Sequence, residues 1–169
     1  MQGLRIAFSG KMQVGKTTSA EYLVRKYGFV KLAFADKLKE IARDLFPEQF
    51  EKGEKPRKLL QDLGIKMREI DEDVWVKCVL RKIESLPKET NIVIDDLRFL
   101  NEYKALKNEG FFVVRILRDV PPSPYSNHQS EKEVEQMPYD LLLLNTGTLD
   151  RLYEKLDKIM AMLGKNERK

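Results

Sequence analysis

Short runs of almost wholly apolar residues recur along the chain, separated by longer segments whose apolar residues have helical spacing. Apolar runs of this length predict strands of a parallel sheet that is buried on both faces. They cover residues 4–9, 29–32, 91–94, 111–117 and 141–144. Because strand and helix patterns alternate, we predict a three-layer α/β fold with a five-stranded, doubly wound parallel sheet. Its ligand site is expected at the carboxyl ends of the strands.

Helices are predicted in the segments between these strands. The first runs from about residue 16 to residue 27, and the second begins at Asp36, whose side chain is placed to cap it. The charged stretch 48–56 predicts an exposed connection before two further helices, around residues 59–63 and from about 73 to 83. Another helix is expected between the third and fourth strands, and an amphipathic helix over residues 149–163.

Composition narrows the class of protein. With 169 residues, 42% hydrophobic and 34% charged, the chain fits one globular domain. Its longest apolar stretch, residues 141–144, is too short to span a membrane, and no signal-peptide pattern opens the chain, so we expect a cytoplasmic protein. The net charge of +4 is spread among alternating lysines and glutamates, which argues against nucleic-acid binding. The single cysteine, Cys78, is predicted to be a core residue.

A glycine-rich segment, GKMQVGKT at residues 10–17, lies between the first predicted strand and the first predicted helix. In such a phosphate-binding loop (P-loop) the glycines allow backbone N–H groups to surround phosphates, the lysine reaches the β and γ oxygens, and the threonine ligates Mg²⁺. The strand before it and the helix after it are the context that this motif requires. We therefore predict a P-loop NTPase fold that binds ATP and Mg²⁺. The residues assigned to nucleotide binding are Gly10, Met12, Gln13, Val14, Gly15, Lys16, Thr17 and Thr18.

Two aspartates, Asp95 and Asp96, follow the third apolar run, where P-loop proteins place the carboxylate that holds Mg²⁺ or its water. Together with Thr17 they are the predicted metal ligands, although either aspartate could instead cap the next helix. The residues after them, LRF, are not the Asp-x-x-Gly turn of a GTPase switch, and no Asn-Lys-x-Asp guanine motif occurs. A GTPase is therefore disfavoured.

Further motifs follow the phosphate loop along most of the chain. They are FADKLK at residues 34–39, RKLLQDLG at 57–64 with Arg68 and Trp75, DLRFLNE at 96–102, RILR at 115–118 and HQSE at 128–131. With these motifs the sequence resembles the nucleoside monophosphate kinases, and within them most closely the phage-type deoxynucleoside monophosphate kinases; dephospho-coenzyme A kinases are similar relatives. The phosphate loop is the highly specific part of this resemblance.

The resemblance implies a kinase with three parts: a core at residues 1–33, 86–118 and 139–169, an acceptor-binding insertion at about 34–85, and a lid at about 119–138. It implies that Lys16, Arg98, Arg118 and Asp36 serve catalysis and that Asn145 and Gly147 contact the donor base. The acceptor would be bound by Asp36, Arg57, Gln61, Arg68, Arg98, His128, Ser130 and Glu131.

One departure from the resemblance concerns the lid. Many such kinases have arginine-rich lids, whereas the stretch from Arg118 to residue 138 contains no second arginine. Lys132 or Arg98 would then have to supply the missing positive charge. Trp75 is expected in the core or at a domain junction rather than stacked on a base, and without the resemblance Arg57 and Arg68 would be taken as solvated helix charges.

The predicted activity is ATP-dependent transfer of the γ-phosphoryl group to a (deoxy)nucleoside monophosphate, by a monomer or homodimer. Two alternatives stay open at this point. One is a kinase of another small acceptor, such as dephospho-coenzyme A or phosphomevalonate, for which Asp36 could be the general base. The other is a regulator that binds nucleotide without turnover.

Overall fold

The computed structural model describes residues 1–121, 124 and 129–167, and the side chains of 1–121, 124 and 131–164. The strands are β1 (Arg5–Ser9), β2 (Val30–Leu32), β3 (Ile92–Leu97), β4 (Phe112–Leu117) and β5 (Leu141–Leu144). The helices are α1 (Lys16–Tyr27), α2 (Ala35–Leu45), α3 (Arg57–Ile70), α4 (Val74–Glu84), α5 (Leu100–Asn108), α6 (Gln129–Gln136) and α7 (Leu149–Glu167), with a 3-10 turn at Pro47–Phe50.

The strands form one sheet in the order β2-β3-β1-β4-β5. Strand β1 is central and pairs in parallel with β3 and β4, and β4 pairs in parallel with β5. Helices cover the sheet, and the α/β fold with a five-stranded parallel sheet is confirmed. The carboxyl end of β1 meets the carboxyl ends of its two neighbours, with Ser9 opposite Leu97 on one side and Arg115 on the other.

The chain divides into two compact units, Met1–Lys31 with Pro87–Lys169 and Leu32–Leu86. The first contains a core in which β1 and β4 pack against α1 and α7, with residues such as Phe8, Leu23, Ile116 and Leu156 fully buried. Burial of large apolar side chains of this kind supplies most of the driving force for folding.

The second unit contains α2, α3 and α4, which pack on one another. Trp75 is buried there and its indole N–H donates to the Gly64 carbonyl at 3.3 Å, so it is a core residue of this unit. Cys78 is only half-buried, which corrects its prediction as a core residue. The guanidinium of Arg81, one helical turn later, lies 3.6 Å from its sulfur, so this position of α4 faces a charged group.

Helices α1 and α7 are joined by a polar cluster around Asp157. Its carboxylate accepts hydrogen bonds from the Tyr22 hydroxyl at 2.8 and 3.0 Å, from the Tyr27 hydroxyl at 2.6 Å and from the Lys26 ammonium at 3.0 Å. The Tyr22 ring stacks on Tyr153 with 4.1 Å between ring centroids. We call Tyr22, Lys26, Tyr27 and Asp157 the Asp157 cluster.

Several predicted boundaries are corrected. Helix α2 begins at Ala35, so Asp36 is not its N-cap; its carboxylate accepts the N–H of Ala33, before the helix, at 3.0 Å. Strand β3, predicted to end in Asp95 and Asp96, extends one residue further, because pairing with β1 continues to Leu97. The helix α6 was not predicted. No helix within the described ranges is long and apolar enough to cross a membrane.

Candidate active site

The phosphate loop connects the end of β1 to the start of α1 in a conformation that needs residues with positive φ. Gly10 has φ 141° and Gly15 has φ 108°, and a β-carbon on Gly10 would lie 2.5 Å from the carbonyl oxygen of Ile116. Gln13 is the residue other than glycine that has a positive φ, at 65°, in the described part of the chain. Left-handed backbone at a side-chain-bearing residue stores strain and is typical of a ligand site.

Lys16 is the buried cation of the loop, with 7% of its surface exposed. Its ammonium donates to the Gly10 carbonyl oxygen across the loop. Burial, and to a smaller extent the positive charge of Arg98, lowers the pKa of Lys16 to about 8, and the carboxylates of Glu131, Asp96 and Asp95 oppose the shift. A desolvated ammonium lacking a closely bonded carboxylate is poised to gain free energy from an incoming anion.

The two aspartates of β3 have different surroundings, since neighbouring residues of a strand point to opposite faces. Asp95 is buried and its Oδ2 lies 3.3 Å from the Lys31 ammonium on β2, whereas Asp96 is half-buried. In the described residues no three His, Cys, Asp or Glu side chains are grouped for a metal. The oxygen donors that the sequence predicts as metal ligands, Thr17 and these carboxylates, are of the kind that Mg²⁺ takes.

Arg98 lies just beyond β3, and one of its polar atoms has no hydrogen-bond partner among the described residues. Its Nε is buried and makes no hydrogen bond to any residue that the structure describes; the same is true of the Ser9 hydroxyl at the end of β1. The turn that carries Arg98 is fixed by buried Glu102, whose Oε1 accepts the backbone N–H groups of Arg98 and Phe99 at 3.0 Å each. Buried donors without partners are rare in proteins and indicate a place for a missing acceptor.

Helix α6, which lies in the predicted lid, contacts the phosphate loop through acidic side chains. The Met12 N–H donates to Glu131 Oε2 at 3.4 Å, and the Lys11 ammonium lies 2.5 Å from Glu135 Oε1. A third carboxylate, Glu133, accepts the N–H of Leu100 at the start of α5, at 3.1 Å. Lys132 is exposed, so Arg98 is the residue that brings a second positive charge close to Lys16.

The turn after β5 also reaches the phosphate loop. Asn145 is 7% exposed, and its side-chain amide donates to the Val14 carbonyl oxygen at 2.9 Å. Gly147 is exposed, and a β-carbon there would meet the Arg151 side chain at 2.7 Å. Asn145 and Gly147 were both predicted to contact the donor base. The side chain of Asn145 instead contacts the phosphate loop.

The predicted acceptor residues divide between the two units. Asp36, Arg57, Gln61 and Arg68 all lie on α2 and α3 of the second unit. Asp36 and Arg57 are exposed and Gln61 is half-buried, while Arg68 is 13% exposed and lies 3.9 Å from Glu72. In the first unit Arg118 is exposed after β4. His128 lies outside the described residues, as does the side chain of Ser130, which is in α6.

The first unit thus brings Lys16, Asp95, Asp96, Arg98 and Glu131 together, and we call these five residues the phosphate cluster. Sequence reasoning assigned all five, but it did not recognise Lys31, Glu102 and Glu135 as partners of the site. Glu102 gives only half of a recognised signal, because it lies three residues after the N-cap of α5 as in a capping box, but the N-cap is Phe99 and not Ser or Thr. Lys31 and Glu135 carry no local signal.

The fold has clear structural relatives. A shikimate kinase from Acinetobacter baumannii, solved with shikimate, superposes over 99% of this chain and 96% of its own with a TM-score of 0.59 at 15% identity. A protein from Chloroflexus aurantiacus J-10-fl, provisionally described as a kinase, superposes over 98% of both chains with a TM-score of 0.53 at 14% identity. At these identities the likeness concerns the fold, and fold and phosphate loop together define a P-loop protein.

Sequence comparison identifies the family. The deoxynucleotide monophosphate kinase family matches residues 54–156. A protein of Acanthamoeba polyphaga mimivirus, named provisionally as a deoxynucleotide monophosphate kinase, is 28% identical over 184 aligned positions that cover 89% of this chain and 93% of the viral protein. The chain belongs to the deoxynucleotide monophosphate kinase family and is a kinase of deoxynucleoside monophosphates. The predicted family and activity are thereby confirmed.

Proposed function

We propose that the chain transfers the γ-phosphoryl group of ATP, with Mg²⁺, to the phosphate of a deoxynucleoside monophosphate in the cytoplasm. The observation that carries the proposal is the phosphate cluster. Lys16 is buried at the phosphate loop, and the positive charge of Arg98 helps to lower its pKa. The Arg98 Nε has no partner among the described residues. Arg98 contributes to the lowered pKa of Lys16, so the two cations repel each other in spite of the nearby carboxylates, and a migrating phosphate would reduce that repulsion.

On the donor side, the backbone N–H groups of residues 10–17 surround the β- and γ-phosphates and Lys16 binds their oxygens. Thr17 and Asp95 or Asp96 would hold Mg²⁺, which neutralises charge on those oxygens when it is bound. Gly147 and the backbone of the same turn remain the proposed donor-base contacts.

On the acceptor side, the attacking oxygen belongs to a phosphate that is already ionised at neutral pH, so no general base is needed. A bond forms between that oxygen and the γ phosphorus while the bond to the β–γ bridging oxygen breaks, giving ADP and a deoxynucleoside diphosphate. Arg98 and Arg118 stabilise the charge on the migrating group. Arg57, Gln61 and Arg68 bind the acceptor, as do His128, Ser130 and Glu131 of the lid.

Asp36 distinguishes this reaction from phosphorylation of an alcohol. If the acceptor is a nucleoside monophosphate, Asp36 only hydrogen-bonds sugar or base, so Asp36→Asn should raise the acceptor KM and leave kcat nearly unchanged. An alcohol acceptor would need Asp36 as base, and the same change would lower kcat by about 10² to 10⁴. A fall of three decades at saturating acceptor, with an unchanged melting temperature, would contradict the proposal.

The direct test is a coupled assay of ADP release from ATP and Mg²⁺. The acceptors are the common deoxyribo- and ribonucleoside monophosphates, dephospho-coenzyme A and phosphomevalonate, with a reaction lacking acceptor as the background. We expect turnover with at least one deoxynucleoside monophosphate, absent in Lys16→Ala. Turnover only with dephospho-coenzyme A or phosphomevalonate would refute the proposed function. Turnover no higher than background with every acceptor would refute it too.

A further inference from the structure

Asn145 is a buried polar residue whose side chain is committed to the phosphate loop. Its amide donates to the Val14 carbonyl oxygen at 2.9 Å across 131 residues of chain. Only 7% of the residue is exposed, so little of it is left to touch a nucleotide base. The contact is tight, because a β-carbon placed on Gly15 would lie 2.8 Å from the same amide nitrogen.

The residue itself is firmly placed. Its backbone N–H donates to the Leu117 carbonyl oxygen at 2.8 Å, at the point where β4 and β5 end with Leu117 opposite Leu144. The side chain therefore extends from the end of a paired strand, and its amide is presented to the loop by the rigid sheet.

Fixing the Val14 carbonyl also fixes the next N–H of the loop. A trans peptide is planar, with its C=O and N–H pointing in opposite directions. When the Val14 oxygen points to Asn145, the Gly15 N–H must point away from it. The following peptide is held separately, because the Gly15 carbonyl accepts both the N–H and the hydroxyl of Ser19, at 3.0 and 2.7 Å.

The loop needs such support because its conformation is strained. Gln13 has φ 65° and Gly15 has φ 108°, on either side of Val14. Sparsely populated backbone conformations persist only where surrounding contacts over-determine them. Val14 is the residue between the two, and its carbonyl accepts the hydrogen bond from the Asn145 side chain.

We propose that Asn145 is a positioning residue that holds the phosphate loop in its phosphate-receiving conformation before nucleotide arrives. It acts on the triphosphate through the Val14–Gly15 peptide, and it does not recognise the base. The inference deepens the proposed function, since it rests on the phosphate loop being the donor site.

The test compares two ligands that share phosphates and differ in the base. Binding of Mg·ATP and of Mg·tripolyphosphate is measured by calorimetry for wild type, Asn145→Ala and Asn145→Ser. The serine hydroxyl is too short to reach Val14, so this variant keeps a polar group without the bond. The matched control is Asn91→Ala, which removes another side-chain amide bonded to backbone, the 2.8 Å contact from the Leu4 N–H to Asn91 Oδ1 at the amino end of β3.

We expect both Asn145 variants to bind ATP and tripolyphosphate about tenfold more weakly, by the same factor for each ligand, as loss of one hydrogen bond to a buried carbonyl would produce. Asn91→Ala should lower the melting temperature and leave both affinities unchanged. Weaker binding of ATP with unchanged binding of tripolyphosphate would show a base contact and overturn the proposal, and so would unchanged binding of both.

Failure of the proposed function would look different. A wild-type protein that binds ATP and phosphorylates no deoxynucleoside monophosphate would contradict the assigned reaction. The loss of affinity for ATP and tripolyphosphate from wild type to the two Asn145 variants would still report whether Asn145 positions the loop.

Discussion

Helix α1 has a polar cluster at each end, and the two clusters differ in how far their groups are satisfied. At its amino end Lys16 belongs to the phosphate cluster, where the Arg98 Nε is buried without a partner among the described residues. At its carboxyl end Tyr22, Lys26 and Tyr27 all donate to the one carboxylate of Asp157. Burial and neighbouring positive charge lower the pKa of Lys16 to about 8, whereas the hydrogen bonds that Lys26 donates to Tyr22 and Asp157 raise the pKa of Lys26.

The difference separates a binding site from a structural contact. In the Asp157 cluster, burial raises the pKa of Tyr27 to about 12 with help from its bond to Asp157, so the group stays a neutral donor at physiological pH. Donors and acceptor match, and nothing is left for a ligand to complete. In the phosphate cluster Lys16 is desolvated and the Arg98 Nε has no acceptor among the described residues, which costs stability in the absence of a ligand and is recovered when phosphate binds.

The largest effect should come from removing the central cation of the phosphate cluster. Lys16→Ala is expected to lower kcat at least a hundredfold, because one preorganised charge on the transferred phosphates typically accounts for 10² to 10³ or more. The melting temperature should stay within a few degrees of wild type, because the lost ammonium is desolvated. The measurements are a coupled ADP assay and thermal unfolding. Turnover retained within about tenfold, less than roughly 1.4 kcal/mol of barrier, would remove Lys16 from catalysis.

Removing Arg98, the second cation of the phosphate cluster, should have a smaller effect that is confined to the acceptor. Arg98→Ala is expected to lower kcat/KM for the acceptor by about 10², leaving the dissociation constant of ATP without acceptor unchanged. Arg98→Lys, which keeps the charge and loses the fork of donors, should recover only part of the loss. Steady-state kinetics measures kcat/KM for the acceptor, and calorimetry measures the dissociation constant of ATP. Equal loss of ATP affinity would reassign Arg98 to the donor side.

A change in the opposite direction is expected when negative charge is removed from the phosphate cluster. Glu131→Gln keeps an oxygen that can accept the Met12 N–H, but it no longer repels phosphate, so ATP should bind about threefold to tenfold more tightly. Glu133→Gln is the matched control, a carboxylate of the same helix that bonds the Leu100 N–H instead. Weaker ATP binding by Glu131→Gln in calorimetry would show that this carboxylate assists donor binding.

The Asp157 cluster should respond in stability alone. Asp157→Asn weakens a set of partly exposed hydrogen bonds, and we expect a loss near 1 kcal/mol, a fall of roughly 2–4 °C in melting temperature, with unchanged turnover. Glu154→Gln removes the same charge from an exposed position of α7 and should have little effect. A large loss of activity in Asp157→Asn at temperatures where it is folded would break the separation of the two clusters.

The same variant gives a pH dependence with a definite sign. Burial raises the pKa of Asp157, but the hydrogen bonds from Tyr27, Lys26 and Tyr22 together outweigh it and leave the pKa below its ordinary 3.8. A carboxylate with a lowered pKa stabilises the fold above its unfolded pKa and loses that contribution as the pH falls through its folded pKa. The difference in melting temperature between wild type and Asp157→Asn should therefore be full at pH 7 and shrink below about pH 4.

The sequence predicted those parts of the molecule that have a local cause. The run of four leucines marked β5 with its observed bounds, and residues 10–17 identified the phosphate loop without any tertiary information. Helix α6 was missed because QSEKEVEQ is almost wholly polar. Val134 is its buried apolar residue, and one such residue cannot produce a helical periodicity. The groups that its carboxylates bond lie on the phosphate loop and at the start of α5, far away in sequence.

The contact of Asn145 with the phosphate loop could not be predicted from the sequence, because its partner Val14 is also far away in the chain. A polar residue after a strand indicates a turn, and nothing in the neighbouring sequence indicates a hydrogen bond to Val14. The pairing of Asp95 with Lys31 depends on β2 lying beside β3, a strand order that apolar runs do not specify. Local patterns thus predicted the elements and the phosphate loop, while the contacts that hold the loop depend on strand order.

The central place of β1 has a consequence for how the protein is made. Strand β1 is synthesised before β3 and β4, with which it pairs, so at roughly 5–20 residues per second it waits on the order of seconds on the ribosome for these neighbours. A nascent chain halted before Asn145 carries the complete phosphate-loop motif and lacks the strand that presents its support. Nucleotide in the cell should therefore protect the finished chain from proteolysis and leave its growing precursors to chaperones.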